Sequence, residues 1–165
     1  MKHGWSKDGG YVDLPGSPLY PFGYGLSYTE FRYSNLHVDP SQIKRAGVAK
    51  VTVEVQNVGK RPGTETVQMY LHEHFAPVSL PIRQLRGFER VTVNPGETKT
   101  VTLTIRPEDM MLLDRDMLWK VVPGDFDIMI GSSSGDIVLR DSLEVTASPD
   151  GLLNRGLSTQ PDLAR

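Results

Sequence analysis

His72 and His74 flank Glu73, and on an extended segment both imidazoles stand on one face, a spacing that can serve a metal ion. No third ligand lies nearby in sequence, so a solvated pair at a strand end is the simpler reading. Glu108, Asp109, Asp114 and Asp116 supply hard oxygen donors or a carboxylate pair, yet their spacing fits no EF-hand and lacks its central glycine. A helix cap and an acidic turn account for them. Ser132-Ser133-Ser134-Gly135-Asp136 offers hydroxyls beside an acid, but without a Gly-x-Ser-x-Gly elbow it reads as a polar turn. Trp5, Tyr11, Tyr20, Tyr24 and Trp119 are rings that could stack on sugar faces. Trp119 precedes Val121-Val122 and a tight turn, as expected of a core or sheet-edge residue, and the other four lie outside the strand-rich region. No cofactor or metal site is expected.

The strongest local anomaly is apolar. Tyr20-Pro21-Phe22-Gly23-Tyr24-Gly25-Leu26-Ser27-Tyr28 places four rings where a soluble chain usually carries a polar linker. Pro21 stiffens the entry and the glycines permit a turn or a close approach, so the run reads as a docking strap. Tyr20, Phe22, Tyr24 and Tyr28 are the candidate interface residues.

These side chains belong to a chain of 165 residues, room for one domain with some extra. Eighteen basic residues against twenty acidic ones, with no like-charge block, argue against a nucleic-acid or anionic-membrane surface. Cysteine is absent, which removes disulfides and thiol chemistry without assigning a compartment. No stretch approaches a membrane-spanning length, the first residues carry no signal-peptide apolar run, and no Asn-x-Ser/Thr sequon occurs. The polar, glycine-rich opening through Gly9-Gly10 seldom starts an independent domain.

Strand periodicity dominates from Thr29 to Ala147. Val51, Val53 and Val55 alternate with Thr52, Glu54 and Gln56; Val67, Met69 and Leu71 repeat the pattern, as do Val101, Leu103 and Ile105 and then Phe126, Ile128 and Ile130. Phe31–Val38 is the first strand, and Ile137, Leu139, Leu143 and Val145 predict a last one with a phase shift between Leu139 and Leu143. Asn94-Pro95-Gly96-Glu97 and Val122-Pro123-Gly124-Asp125 predict type II turns that reverse the chain, and Asn57–Thr64 a longer connection of the same kind. Pro107 at a helix N1 followed by acids predicts one or two helical turns. Phe75–Arg83 is a long two-proline connection, either an inter-sheet crossover packed by Phe75 and Leu80 or a loop leaning on another domain. Seven or so short antiparallel strands predict an all-β, immunoglobulin/fibronectin III-like two-sheet sandwich, with a barrel as the alternative. Residues 148–165 lack alternation and are expected to form a flexible tail.

Ser17–Thr29, Asn57-Val58-Gly59 with Gly63 and Glu65, Val67–Leu71, Leu85–Val91, Asn94–Thr98, Trp119 and Pro123–Phe126 stand in an order and spacing that resemble the C-terminal region of glycoside hydrolase family 3. The resemblance covers about Tyr11 to Val145; His72-Glu73-His74 and the residues after Ala147 depart from it. It implies a fibronectin type III-like domain at 29–147, preceded by a connector at 1–28 from the end of an α/β domain. In such enzymes, of β-glucosidase or β-xylosidase type and often periplasmic or secreted, the nucleophile and acid/base belong to the preceding domains. Retaining hydrolysis needs two carboxylates about 5–5.5 Å apart, and no segment here matches either region. The expected role is therefore accessory: packing on the catalytic domains of the parent hydrolase, with no activity in the isolated chain and part of the strap exposed and poorly ordered. The alternative is an independent β-sandwich module that binds oligosaccharide or protein.

Overall fold

Alternating β-branched residues produce the sheets that their period predicts. The computed structural model describes residues 18–74, 80–113 and 117–147. Ten strands form there: β1 (Phe31–Asp39), β2 (Gln42–Lys44), β3 (Ala49–Asn57), β4 (Gly63–Glu73), β5 (Gln84–Val93), β6 (Thr98–Ile105), β7 (Met111–Leu113), β8 (Trp119–Val121), β9 (Gly124–Ser133) and β10 (Asp136–Thr146). One sheet has the order β1-β3-β6, the other β2-β10-β9-β4-β5, and β7 pairs with β8 apart from both. The fold is an all-β sandwich of fibronectin III-like kind, not a barrel.

The core lies between the two sheets. Val51, Val53 and Val55 of β3 face Val67, Met69 and Leu71 of β4 and Ile128 and Ile130 of β9, and every one is buried. Full burial of each such side chain is worth about 1.5–3 kcal/mol, so these short strands hold the layers together. Tyr33 and Val38 come from opposite phases of β1. Asn35 at φ 52° sits where the register with β3 slips between Ser34 and His37, switching the inward side of the strand.

Several expectations are corrected. The Asn94–Glu97 turn forms, with Gly96 at φ 75° and the Glu97 N–H donating to the Asn94 carbonyl at 3.0 Å, but it carries the chain between sheets, since β5 and β6 lie in different ones. At Pro123-Gly124 no type II turn forms: Gly124 has φ 158°, opens β9 and pairs with Val145. The last strand keeps its phase from Leu139 to Leu143, with Asp141 in the inward position between; the irregularity lies earlier, around Val138. The 74–83 connection joins two antiparallel neighbours, β4 and β5, so it is a long hairpin loop and not an inter-sheet crossover. Pro107–Met110 is a single 3-10 turn whose Met110 plugs the core before β7. The parallel pairing of β2 with β10 has no counterpart in the sequence reading: three residues are too few to show a period.

A candidate domain-docking surface

The strap lies back on its own sandwich. Pro21, Phe22, Gly23 and Tyr24 form a β-turn in which the Tyr24 N–H donates to the Pro21 carbonyl at 3.0 Å and Gly23 takes φ 79°, the conformation that a type II turn reserves for glycine. The turn sits on the outer face of β4. There the Gln68 amide nitrogen donates to the Gly23 carbonyl at 3.0 Å and also to the Ser132 carbonyl, while the Tyr70 hydroxyl donates to Gln68 Oε1 at 2.5 Å. The Ser134 N–H donates to the Phe22 carbonyl at 2.9 Å, and Pro21 packs where a side chain on Gly135 would otherwise stand. Gln68 and Tyr70 are consequently buried although they occupy the outward phase of β4.

The far end of the strap is tied by Asn57. Its side chain, fully buried, accepts from the Thr29 hydroxyl at 2.7 Å and the Gly59 N–H at 3.0 Å, and donates to the carbonyls of Arg61 at 2.7 Å and Val93 at 2.9 Å. Thr29 in turn packs so closely on Gly59 and Gly63 that a Cβ at either would collide with it. One amide thus joins strap, β3–β4 loop and β5.

With its backbone held, the strap turns its rings outward. Tyr20, Phe22, Tyr24 and Tyr28, the four residues singled out from sequence, are all exposed, Tyr28 at 95%; the Tyr20 and Tyr24 ring centroids lie 5.2 Å apart. Among the described residues, six of the thirteen large apolar side chains left exposed lie on the strap and three more, Ile82, Phe88 and Val138, lie beside it. Contiguous apolar surface of this kind marks an interface.

Between the strap and the sheet runs an open groove of about 760 Å³, lined by strap residues 22–27, by Tyr33 and Glu65, and by Thr64, Phe88 and Asp136. Within it the Tyr33 hydroxyl donates to Glu65 Oε1 at 2.7 Å. Burial pushes the Glu65 carboxyl above its ordinary range, Tyr33 pulls it back in part, and Asp136 pushes it up further. Burial and the facing Glu65 carboxylate likewise raise the Tyr33 phenol. A folded-state pKa above the unfolded value means that the native state binds the extra proton, so stability falls as pH rises from the unfolded pKa through the folded one. Glu65→Gln, which keeps an oxygen for Tyr33, should therefore raise the urea midpoint at pH 8, the gain vanishing as pH falls below the unfolded Glu65 value. An equal gain at pH 4 and pH 8 would show that the carboxylate charge is not its source.

The other candidates resolve simply. Asp109 caps the 3-10 turn by accepting from the Arg106 N–H at 2.8 Å, and Asp136 accepts from the Ser132 hydroxyl at 2.7 Å within its turn. Asp114, Asp116, Trp5, Tyr11 and Phe75 lie outside the described residues. His72 and His74 do share a face, with ring centroids 5.8 Å apart, and His74 Nε2 meets Asp127 at 2.8 Å; this contact raises the His74 pKa. No group of three or more potential metal ligands occurs among the described residues. Trp119 lies in β8 and is exposed, so it is an edge and not a core residue. Sequence reasoning missed Asn57 and Gln68 as structural centres. Both had a signal: Asn57 continues the inward phase of Val51, Val53 and Val55, and Gln68-x-Tyr70 puts two large uncharged residues on a nominally solvated face.

A β-sandwich that presents a preformed apolar ledge has the form of an accessory domain. The comparisons name its kind. Residues 65–134 match the fibronectin type III-like domain family. The chain is 44% identical over 140 residues to Thermostable beta-glucosidase B of Acetivibrio thermocellus, covering 84% of this chain and 18% of that protein. It is 43% identical over 129 residues to a beta-xylosidase of Formosa agariphila, covering 78% and 18%. A solved β-glucosidase from Erythrobacter marinus superposes with a TM-score of 0.76 at 36% identity, over 82% of this chain and 18% of that one. The chain belongs to the fibronectin type III-like domains of glycoside hydrolase family 3. It spans less than a fifth of the length of these relatives.

Proposed function

We propose that residues 29–147 are the C-terminal accessory sandwich of a family 3 glycoside hydrolase, that 1–28 are its connector and 148–165 its tail, and that the sandwich packs through Tyr20, Phe22, Tyr24 and Tyr28 on the catalytic domains. The parent enzyme hydrolyses terminal β-D-glucosyl or β-D-xylosyl residues; this chain braces its catalytic domains and supplies no catalytic carboxylate. One observation carries the reading: the strap backbone is fastened to the sandwich while its rings remain exposed. Burying some hundreds of Å² of such surface at about 25 cal/mol per Å² contributes several kcal/mol before ordering costs.

The test has two arms. The chain alone should hydrolyse neither an aryl β-glucoside nor an aryl β-xyloside. Installed in place of the matching 140 residues of the Acetivibrio enzyme, it should melt with the catalytic domains in one calorimetric transition. Turnover by the purified chain, or two independent transitions in the chimera, would overturn the proposal.

The groove beneath the strap supports a second reading, oligosaccharide binding, because rings and hydroxyls line it together. Retention of the chain on xylan or laminarin affinity gels, lost in Tyr24→Ala, decides for it.

A further inference from the structure

The strap is only one wall of the exposed ledge. Facing it across an open cleft of about 650 Å³ is the segment that leads into β5, with Pro81, Ile82 and Leu85 opposite Phe22, and with Tyr70 and Ser134 at the floor. Neither wall is free to collapse onto the other. On one side the Gln68 amide and the Ser134 N–H hold the turn carrying Phe22. On the other, Arg83 reaches across and donates from Nη1 to the Ser134 carbonyl, fastening the approach to β5 to the same β9–β10 turn. Leu85 is already paired in β5, opposite Tyr70. Ile82, in contrast, is 73% exposed. A cleft whose walls are separately anchored and whose apolar lining remains wet is a preformed socket: an apolar group entering it gains burial without an ordering cost on this side.

We infer that this cleft is the socket for an apolar side chain projecting from the catalytic region of the parent polypeptide. The inference rests on the docking proposed above and gives it an anchor point. Three observations select that occupant. Phe22 and Leu85 line both this cleft and the groove beneath the strap, so a surface packed on Phe22 borders the cleft as well. The chain covers only 18% of the Acetivibrio relative, so the partner is part of the same kind of polypeptide. The walls present Phe22, Pro81, Ile82 and Leu85, which select for a hydrocarbon group over a polyhydroxylated one.

Ile82→Arg and Tyr24→Ala/Tyr28→Ala, introduced separately into the chimera with the Acetivibrio catalytic domains, test the socket and the strap independently. Ile82→Arg should leave the urea midpoint of the isolated chain unchanged, because the side chain is largely solvated there. In the chimera it should split the single transition in two, the sandwich melting at the temperature of the isolated chain, and Ile82→Leu should restore one transition. If Ile82→Arg leaves the chimera melting as one unit while the strap variant splits it, the socket is wrong and the docking reading stands. If neither variant splits it, both are overturned. Sedimentation of the isolated chain as a dimer that Ile82→Arg dissociates would assign the cleft to a second copy, and retention on xylan abolished by Ile82→Arg would assign it to a glycan. Either result overturns the inference.

Discussion

Asn57→Ala is expected to remove roughly 3–5 kcal/mol of folding stability, a large share of the 5–15 kcal/mol typical of a domain. The reason is orphaning and not lost burial. Alanine leaves the Val93 carbonyl buried without its partner, strands the Arg61 carbonyl and the Gly59 N–H in part-buried positions, and frees the Thr29 hydroxyl. Each buried backbone group left unpaired costs about 1–3 kcal/mol, whereas a hydrogen bond removed together with its partner costs little. The residue also sits where β3 ends, and its own backbone bonds the 94–97 turn through Glu97 and Gly96, so the collapse has few directions in which to relax. With an m-value in urea of about 1–3 kcal/mol/M, the midpoint should fall by more than about 1 M. Asn57→Asp retains the two acceptor contacts but turns both donations into carboxylate–carbonyl repulsion, and is expected to do no better. A loss below about 1 kcal/mol in the alanine variant would show that water replaces the amide and that Asn57 is not a hub. Thr29→Val, which deletes only the strap's contact with Asn57, should cost about 1 kcal/mol and provides the double-mutant cycle.

The second large effect is local. Gly23→Ala puts a Cβ into Gln68 Oε1 and forces φ 79° on an L side chain, which by itself costs on the order of 1–3 kcal/mol. The turn must open, and with it go the Gln68 contact to the Gly23 carbonyl and the Ser134 contact to the Phe22 carbonyl. Amide exchange at Tyr24 and Ser134 should accelerate at least about tenfold, the equivalent of 1.4 kcal/mol at 25 °C. Global unfolding should change little, because no strap residue belongs to the inter-sheet core. Gly25→Ala is the matched control, since nothing lies near its Cβ position and its φ is not positive. Equal behaviour of the two variants would refute the idea that the turn is seated on Gln68. In the chimera, Gly23→Ala should also weaken coupling to the catalytic domains, since Phe22 and Tyr24 leave the orientation in which they face outward.

Much of the sandwich was legible because a period of two is a strong signal wherever one face is buried. Val51-Val53-Val55 and Val101-Leu103-Ile105 could only be strands, and the structure pairs them with each other in register, Val51 against Leu103 and Val53 against Val101. Sheet membership was not legible. A type II turn specifies that the chain reverses, not whether the next strand hydrogen-bonds to the last one or faces it across the core; Pro95-Gly96 does the latter. Gly124 fails as a turn for a related reason: with an extended backbone and paired with Val145, it is the first residue of β9. The β2 strand exists only because the edge of β10 offers it partners.

The strap divides in the same way. Residue types alone determined that Tyr20–Tyr28 needs a surface to cover, because four rings and two leucines between residues 19 and 28 cannot all be solvated cheaply. What only the tertiary structure decided is that the strap has two surfaces, its backbone spent on Gln68, Ser134 and Asn57 and its rings left over for something else. That division depends on contacts across 28 to 112 positions of sequence, between Thr29 and Asn57 and between Phe22 and Ser134. No local pattern encodes them. Hydrogen-bond partners are chosen by where folding delivers them, and apolar periodicity reports only which side of each strand turns inward.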